Sequence, residues 1–129
     1  MSDFTISPID SMEAVVFGSF KRARAVLGVE AFGMQVIDLP PNATQYPEHD
    51  HAESGQEEVF VVLRGSGEME INGERHPMDP EIMIRVGPEP KRKIWPGEDG
   101  MRVLALGGCP GRPYEAPDVT KLGAPDPGL

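Results

Sequence analysis

The sequence predicts an all-β domain whose strands close into a barrel or compact sandwich, and three observations lead there. Short β-favouring runs succeed one another between residues 31 and 106, separated by clusters of Gly, Pro, Asn and Asp. An Asn72–Gly73 pair stands between EMEI and ERHPM, and both central positions of a tight hairpin turn need residues that accept positive φ. No long helical period interrupts the runs. Strands this short bury their faces only by closure or by packing sheet on sheet.

Taken in order, the first thirty residues read as a cap with short helices. Asp10 and Glu13 have capping-box spacing, and Ser19 precedes FKRARAVL, which Gly28 stops. Lys21, Arg22 and Arg24 are read as the solvated face of that helix. AFGMQVIDL (31–39) is the first long strand and ends at Pro40 and Pro41, neither of which can donate to a ladder. EVFVVL (58–63) is expected to stop at Arg64 and Gly65, with RGSG forming a turn. After the Asn-Gly hairpin come IMIRV (82–86), KRKIW (91–95) and MRVLAL (101–106), with GPEP and PGEDG between them. Residues 108–129 are rich in Pro and Gly and read as an extended tail, pinned across the barrel by Tyr114, Val119 and Leu122.

A length of 129 residues fits one domain, with a core over 31–107, a cap over 1–30 and a tail over 108–129. The formal net charge of -9 gives a field that repels nucleic acid and anionic lipid, so neither is an expected partner. The longest apolar runs, such as VFVVL, are too short to span a bilayer, and the start MSDFTISPID lacks a secretory pattern. A lone Cys109 cannot form an internal disulfide, which fits a cytoplasmic protein. Without a histidine near it in sequence, Cys109 reads as a small structural residue.

The chemistry concentrates in YPEHDHAESGQEEVFVVLRGSG. His49 and His51 are two apart, so an extended backbone aims both imidazoles to one side. Glu58 opens the next strand and shares its face with Phe60 and Val62, while Glu57 is a rival carboxylate. Two imidazoles and a carboxylate suit a divalent transition metal such as Zn, Fe, Mn or Ni and leave positions open for water or substrate. His76 reads as a surface residue, Met34, Met69, Met78, Met83 and Met101 as core or cavity filler, and Trp95 as a barrel-mouth or interface aromatic.

The His-x-His pair, the glutamate, the glycine at 65, the Asn-Gly hairpin and the DPEIMIRVGPEP segment together resemble the cupin superfamily over residues 31–107. The resemblance implies a double-stranded β-helix, usually dimeric, with a metal held by two histidines, a glutamate and a further histidine in a second motif. Two departures stand out. The gap between His51 and Glu58 is enlarged by the loop AESGQE, and Arg92 falls nearest the position of the second-motif histidine.

An arginine is not a metal ligand, but a guanidinium aimed inward there can pair with Glu58 and replace an ion with a fixed cation. Two functions follow as expectations. One is a small-molecule-binding protein with a degenerate metal site or no metal, its pocket lined by Arg92, His49, His51, Phe60 and Trp95. The alternative is a metal-dependent enzyme of dioxygenase, isomerase or decarboxylase type using His49, His51 and Glu58. A third role, acting through the dimer surface with the site a relic, is also open, and a homodimer is expected in any of these.

Overall fold

A computed structural model describes residues 2–128; Met1 and Leu129, the outermost residues of the expected cap and tail, lie outside the described residues. Seven strands form one antiparallel sheet: β1 (Ala14–Val15), β2 (Phe20–Lys21), β3 (Gly33–Leu39), β4 (Glu57–Ile71), β5 (Glu74–Met78), β6 (Met83–Val86) and β7 (Arg92–Gly108). The order is β1-β2-β3-β7-β4-β5, with β6 pairing to β4. The expected all-β barrel is therefore present, and its framework is a long ribbon of β4 against β7.

That ribbon corrects two expected turns. Neither RGSG nor PGEDG ends a strand: β4 and β7 run through them, paired from Glu57↔Gly108 to Ile71↔Arg92, with register shifts at Val62/Arg64 and Gly65/Gly67. The reason is steric. A Cβ on Gly65 would lie 2.1 Å from the Gly100 carbonyl oxygen, and one on Gly67 would lie 2.3 Å from that of Trp95. The glycines let two backbones touch at a bulged corner, so the ribbon bends without breaking. The Asn72–Gly73 hairpin forms as expected, both residues having positive φ (49° and 84°).

Bending wraps both halves of the ribbon around one interior. The first half of β4 lies between β6 and β7, and the second half between β5 and β7. Alternation then sends Phe60, Val62, Met69, Met78, Val86, Ile94, Val103 and Ala105 into a shared cluster with Ile37 and Leu39. Phe60 and Ile94 are wholly buried, worth about 2 kcal/mol each in apolar burial. Of the methionines read as filler, Met69, Met78 and Met101 are core, whereas Met83 is 76% exposed on the outer face of β6.

The cap does cover the outer face of β3 and β7, with Met12, Ala23 and Val36 at the centre of a second cluster. It is built differently from expectation. The only α-helix among the described residues is α1 (Ala23–Leu27), closed by Gly28 in the left-handed region as expected. Asp10 and Glu13 cap nothing: Asp10 pairs with Arg102 and Glu13 with Arg22. Lys21 and Arg22 are not a wet face, because they are buried at 9% and 1% exposure. Arg22 donates to Glu13 (2.8 Å) and to the carbonyls of Val119 (2.8 Å) and Ala124 (3.0 Å), so it fastens the tail to the cap. Tyr114 sits against Gly33, but Leu122 is 54% exposed and pins nothing.

Candidate metal centre

The three ligands predicted from sequence converge, and the local chain explains why. His49 exchanges backbone hydrogen bonds with Arg92 (3.0 and 2.8 Å), and the His51 amide donates to the Pro88 carbonyl (2.8 Å). The segment is thus extended against the start of β7, and both imidazoles share a side, 5.0 Å apart and edge-on. The enlarged loop closes on itself: the Gly55 amide donates to the His51 carbonyl (2.8 Å), with Gly55 at φ 78°. That turn returns the chain so that Glu58 arrives beside His51. Two groups from the far end of the sequence, Cys109 Sγ (3.3 Å) and Arg112 Nη2, donate to the Ser54 carbonyl and fasten the loop from outside.

Glu58 Oε1 lies 3.1 Å from His51 Nε2 and 3.9 Å from His49 Nε2. One donor atom from each of His49, His51 and Glu58 falls within 4.8 Å of the others. Their fit to a metal rests on how these atoms are left. Glu58 Oε1 and His51 Nε2 are buried, and despite their proximity no hydrogen bond links them. His49 Nδ1 lies 3.0 Å from the Pro47 carbonyl, which can only accept, so Nδ1 is the donor there and Nε2 is the nitrogen turned toward Glu58. Two imidazole nitrogens and a carboxylate oxygen converging in this way, two of them buried without a hydrogen-bond partner, are a donor set that suits a divalent ion. The rival Glu57 is excluded, since it points outward and accepts from Arg85 (2.9 Å).

Arg92 points inward and is wholly buried. Its Nη2 donates to the Gly87 carbonyl and its Nη1 stands 3.7 Å from Glu58 Oε1, beyond hydrogen-bond reach. Nε and Nη1 have no partner. Phe60, two residues after Glu58 on β4, shares its face and is wholly buried in the barrel core. Trp95 is not brought to the pocket. Arg92 and Ile94 face in, whereas Trp95 faces out between Arg75 and Lys93, each 4.4 Å from its ring, and donates to Glu70 (3.0 Å). His76 is half-buried opposite Met69 on β5 and takes no part.

Sequence reasoning missed Tyr46. It packs on the barrel core, and its ring centroid is 5.7 Å from that of His49. Lys93 Nζ holds the loop in place by donating to the carbonyls of Thr44 (2.8 Å) and Tyr46 (2.6 Å). Burial, with the Glu58 carboxylate next, holds the Tyr46 phenol well above its ordinary range, so it stays protonated. A lone aromatic just before the His-x-His pair was the available clue. A groove of about 600 Å³ lined by Phe17, Asp38, Arg64 and Asp99 lies elsewhere and includes none of these ligands.

No protein-family model matches the sequence, and no curated protein sequence matches it. Solved structures do. A cupin protein from Bacteroides fragilis superposes with a TM-score of 0.70 at 19% identity, covering 91% of this chain and 93% of the other. A sugar phosphate isomerase from a cupin superfamily, from Silicibacter pomeroyi, gives 0.67 at 19% identity, covering 88% and 83%. The Cupin_2 domain of an XRE family transcriptional regulator from Enterobacter cloacae gives 0.53 at 27% identity, covering 64% and 86%. No helix among the described residues is long and apolar enough to cross a membrane.

Proposed function

We propose, from the premise that the chain has the cupin fold, that it is a small-molecule-binding protein with a reduced metal site. His49, His51 and Glu58 hold one divalent transition ion, and Arg92 stands where a further ligand would. The observation that supports this most is the set of buried, unpartnered Glu58 Oε1 and His51 Nε2 atoms facing a His49 whose other nitrogen is already engaged by Pro47. Such an ion, when bound, polarises a ligand oxygen or acidifies a bound water. The protein's own contribution is a fixed cation at Arg92, a buried apolar side chain at Phe60 and a neutral phenol at Tyr46. The reading includes a homodimer through the outer face of β4 and β6, which the exposed Leu63 and Met83 support.

Full-length protein stripped by chelator and titrated calorimetrically with Zn, Mn, Ni and Fe(II) tests this. About one equivalent per chain is expected, abolished in His51→Ala and Glu58→Ala. Uptake below about a tenth of an equivalent for every ion would remove the metal centre. Sedimentation of the same samples reads the dimer, and a monomer would remove that assignment.

A second reading, a metal-dependent enzyme, is supported by the partial exposure of the His49 and His51 side chains, 31% and 26%, which puts the rim of the site in contact with solvent. Product formation from small oxygenated acids or sugar phosphates, absent in His51→Ala, would establish it. No turnover by the metal-loaded protein would leave the binder.

A further inference from the structure

We infer that the site takes its divalent ion together with a small oxoanion, each raising the affinity for the other, with Arg92 as the anchor for the anion. The inference rests on the three-ligand centre above and adds what Arg92 does there.

Arg92 has no exposed surface, yet Nε and Nη1 lack partners, and only Nη2 is satisfied by the Gly87 carbonyl. Buried donors are almost always paired, because leaving one unpaired costs roughly 1–3 kcal/mol. The same chain shows that it can saturate a buried guanidinium, since every nitrogen of Arg22 has an acceptor. The open donors of Arg92 therefore lie where an acceptor is expected. Glu58 does not supply it, because its Oε1 is 3.7 Å from Nη1 and is oriented among the imidazoles.

Charge points the same way. Glu58 and Arg92 form a formally neutral pair, and a dication placed on Glu58 leaves the pocket with excess positive charge beside a guanidinium that cannot lose its proton. The ion alone is therefore opposed by Arg92. An anion alone faces the Glu58 carboxylate. An oxoanion entering with the ion offsets both conflicts, accepting from Nη1 while balancing the ion. Coupling of this kind is reciprocal, so either partner tightens the other by the same factor.

The measurement is a Mn(II) titration of chelator-stripped, full-length protein, following free aqueous Mn(II) by its electron paramagnetic resonance signal. Sodium chloride, sodium acetate and sodium sulfate are compared at matched pH and ionic strength. Acetate or sulfate should lower the apparent Kd by about tenfold relative to chloride, within the usual span of coupling between sites. A gain with acetate alone identifies a carboxylate site, and a gain with sulfate alone identifies a tetrahedral oxoanion. Arg92→Met should bind Mn(II) equally in all three salts. Equal Kd values for the unaltered protein in the three salts would overturn the coupling and leave the metal centre standing. Absence of Mn(II) binding in every salt would remove both. Anion dependence that survives in Arg92→Met would show that Arg92 is not the anchor, and if that variant fails to fold the salt comparison on the unaltered protein decides.

Discussion

Two arginines of this chain are buried to the same degree and are treated in opposite ways. Arg22, 1% exposed, gives Nε, Nη1 and Nη2 each an acceptor, and two of those acceptors are tail carbonyls about a hundred residues away in sequence. Arg92, 0% exposed, satisfies only one nitrogen. On the reading proposed above, the difference separates a clamp from a binding group. A guanidinium whose donors are all matched is finished as structure, whereas one left open inside a ring of imidazoles and a carboxylate has capacity for a visitor.

The largest test of that distinction is Arg22→Met. It removes three hydrogen bonds, two of them to tail carbonyls, and leaves Glu13 with the Gly123 amide alone, so a loss of about 3 kcal/mol is expected by denaturant unfolding, with faster proteolysis of the tail. Arg92→Met should cost less, about 1 kcal/mol, because it deletes two donors that were already unpaired along with one hydrogen bond. Equal losses would erase the contrast.

The smallest effect concerns a third arginine, Arg102, which is matched by Asp38 (2.7 and 3.0 Å) and by Asp10. Burial raises the Asp38 carboxyl, but Arg102 and then Lys21 more than offset it, so it lies below its ordinary 3.8. Its stabilising effect is therefore complete above about pH 4 and is lost as pH falls below that through the lowered value. Unfolding measured between pH 6 and pH 3 should show this decline, and Arg102→Met should flatten part of it. A slope unchanged by the substitution would assign the decline to other carboxylates.

What was legible in the sequence was local. His49, His51 and Glu58 could be read because period-two alternation and the opening of a strand both act over a few residues. The Asn72–Gly73 hairpin was legible for the same reason. RGSG and PGEDG misled because glycine marks a bend in a continuous strand as readily as a turn between two, and only the contact between Gly65 and Gly100 decides which it is. Lys21 and Arg22 looked wet because what buries them arrives from distant chain: Asp38 for Lys21, and the tail for Arg22. Trp95 could have been placed correctly. It is an odd number of residues from Arg92 on one strand, so the two cannot face the same pocket. The open donors of Arg92 had no trace in the sequence, since they depend on where the Gly87 carbonyl and Glu58 come to rest.

The Ser54 carbonyl gives the tail a task that its composition hides. Cys109 and Arg112 hold that carbonyl from beyond the last strand, on the very loop that joins His51 to Glu58. A shortened gene product ending at Gly108 would retain all three ligands and both halves of the barrel. It would lose the outer fastening of the loop between the second imidazole and the carboxylate, together with the tail carbonyls that Arg22 holds.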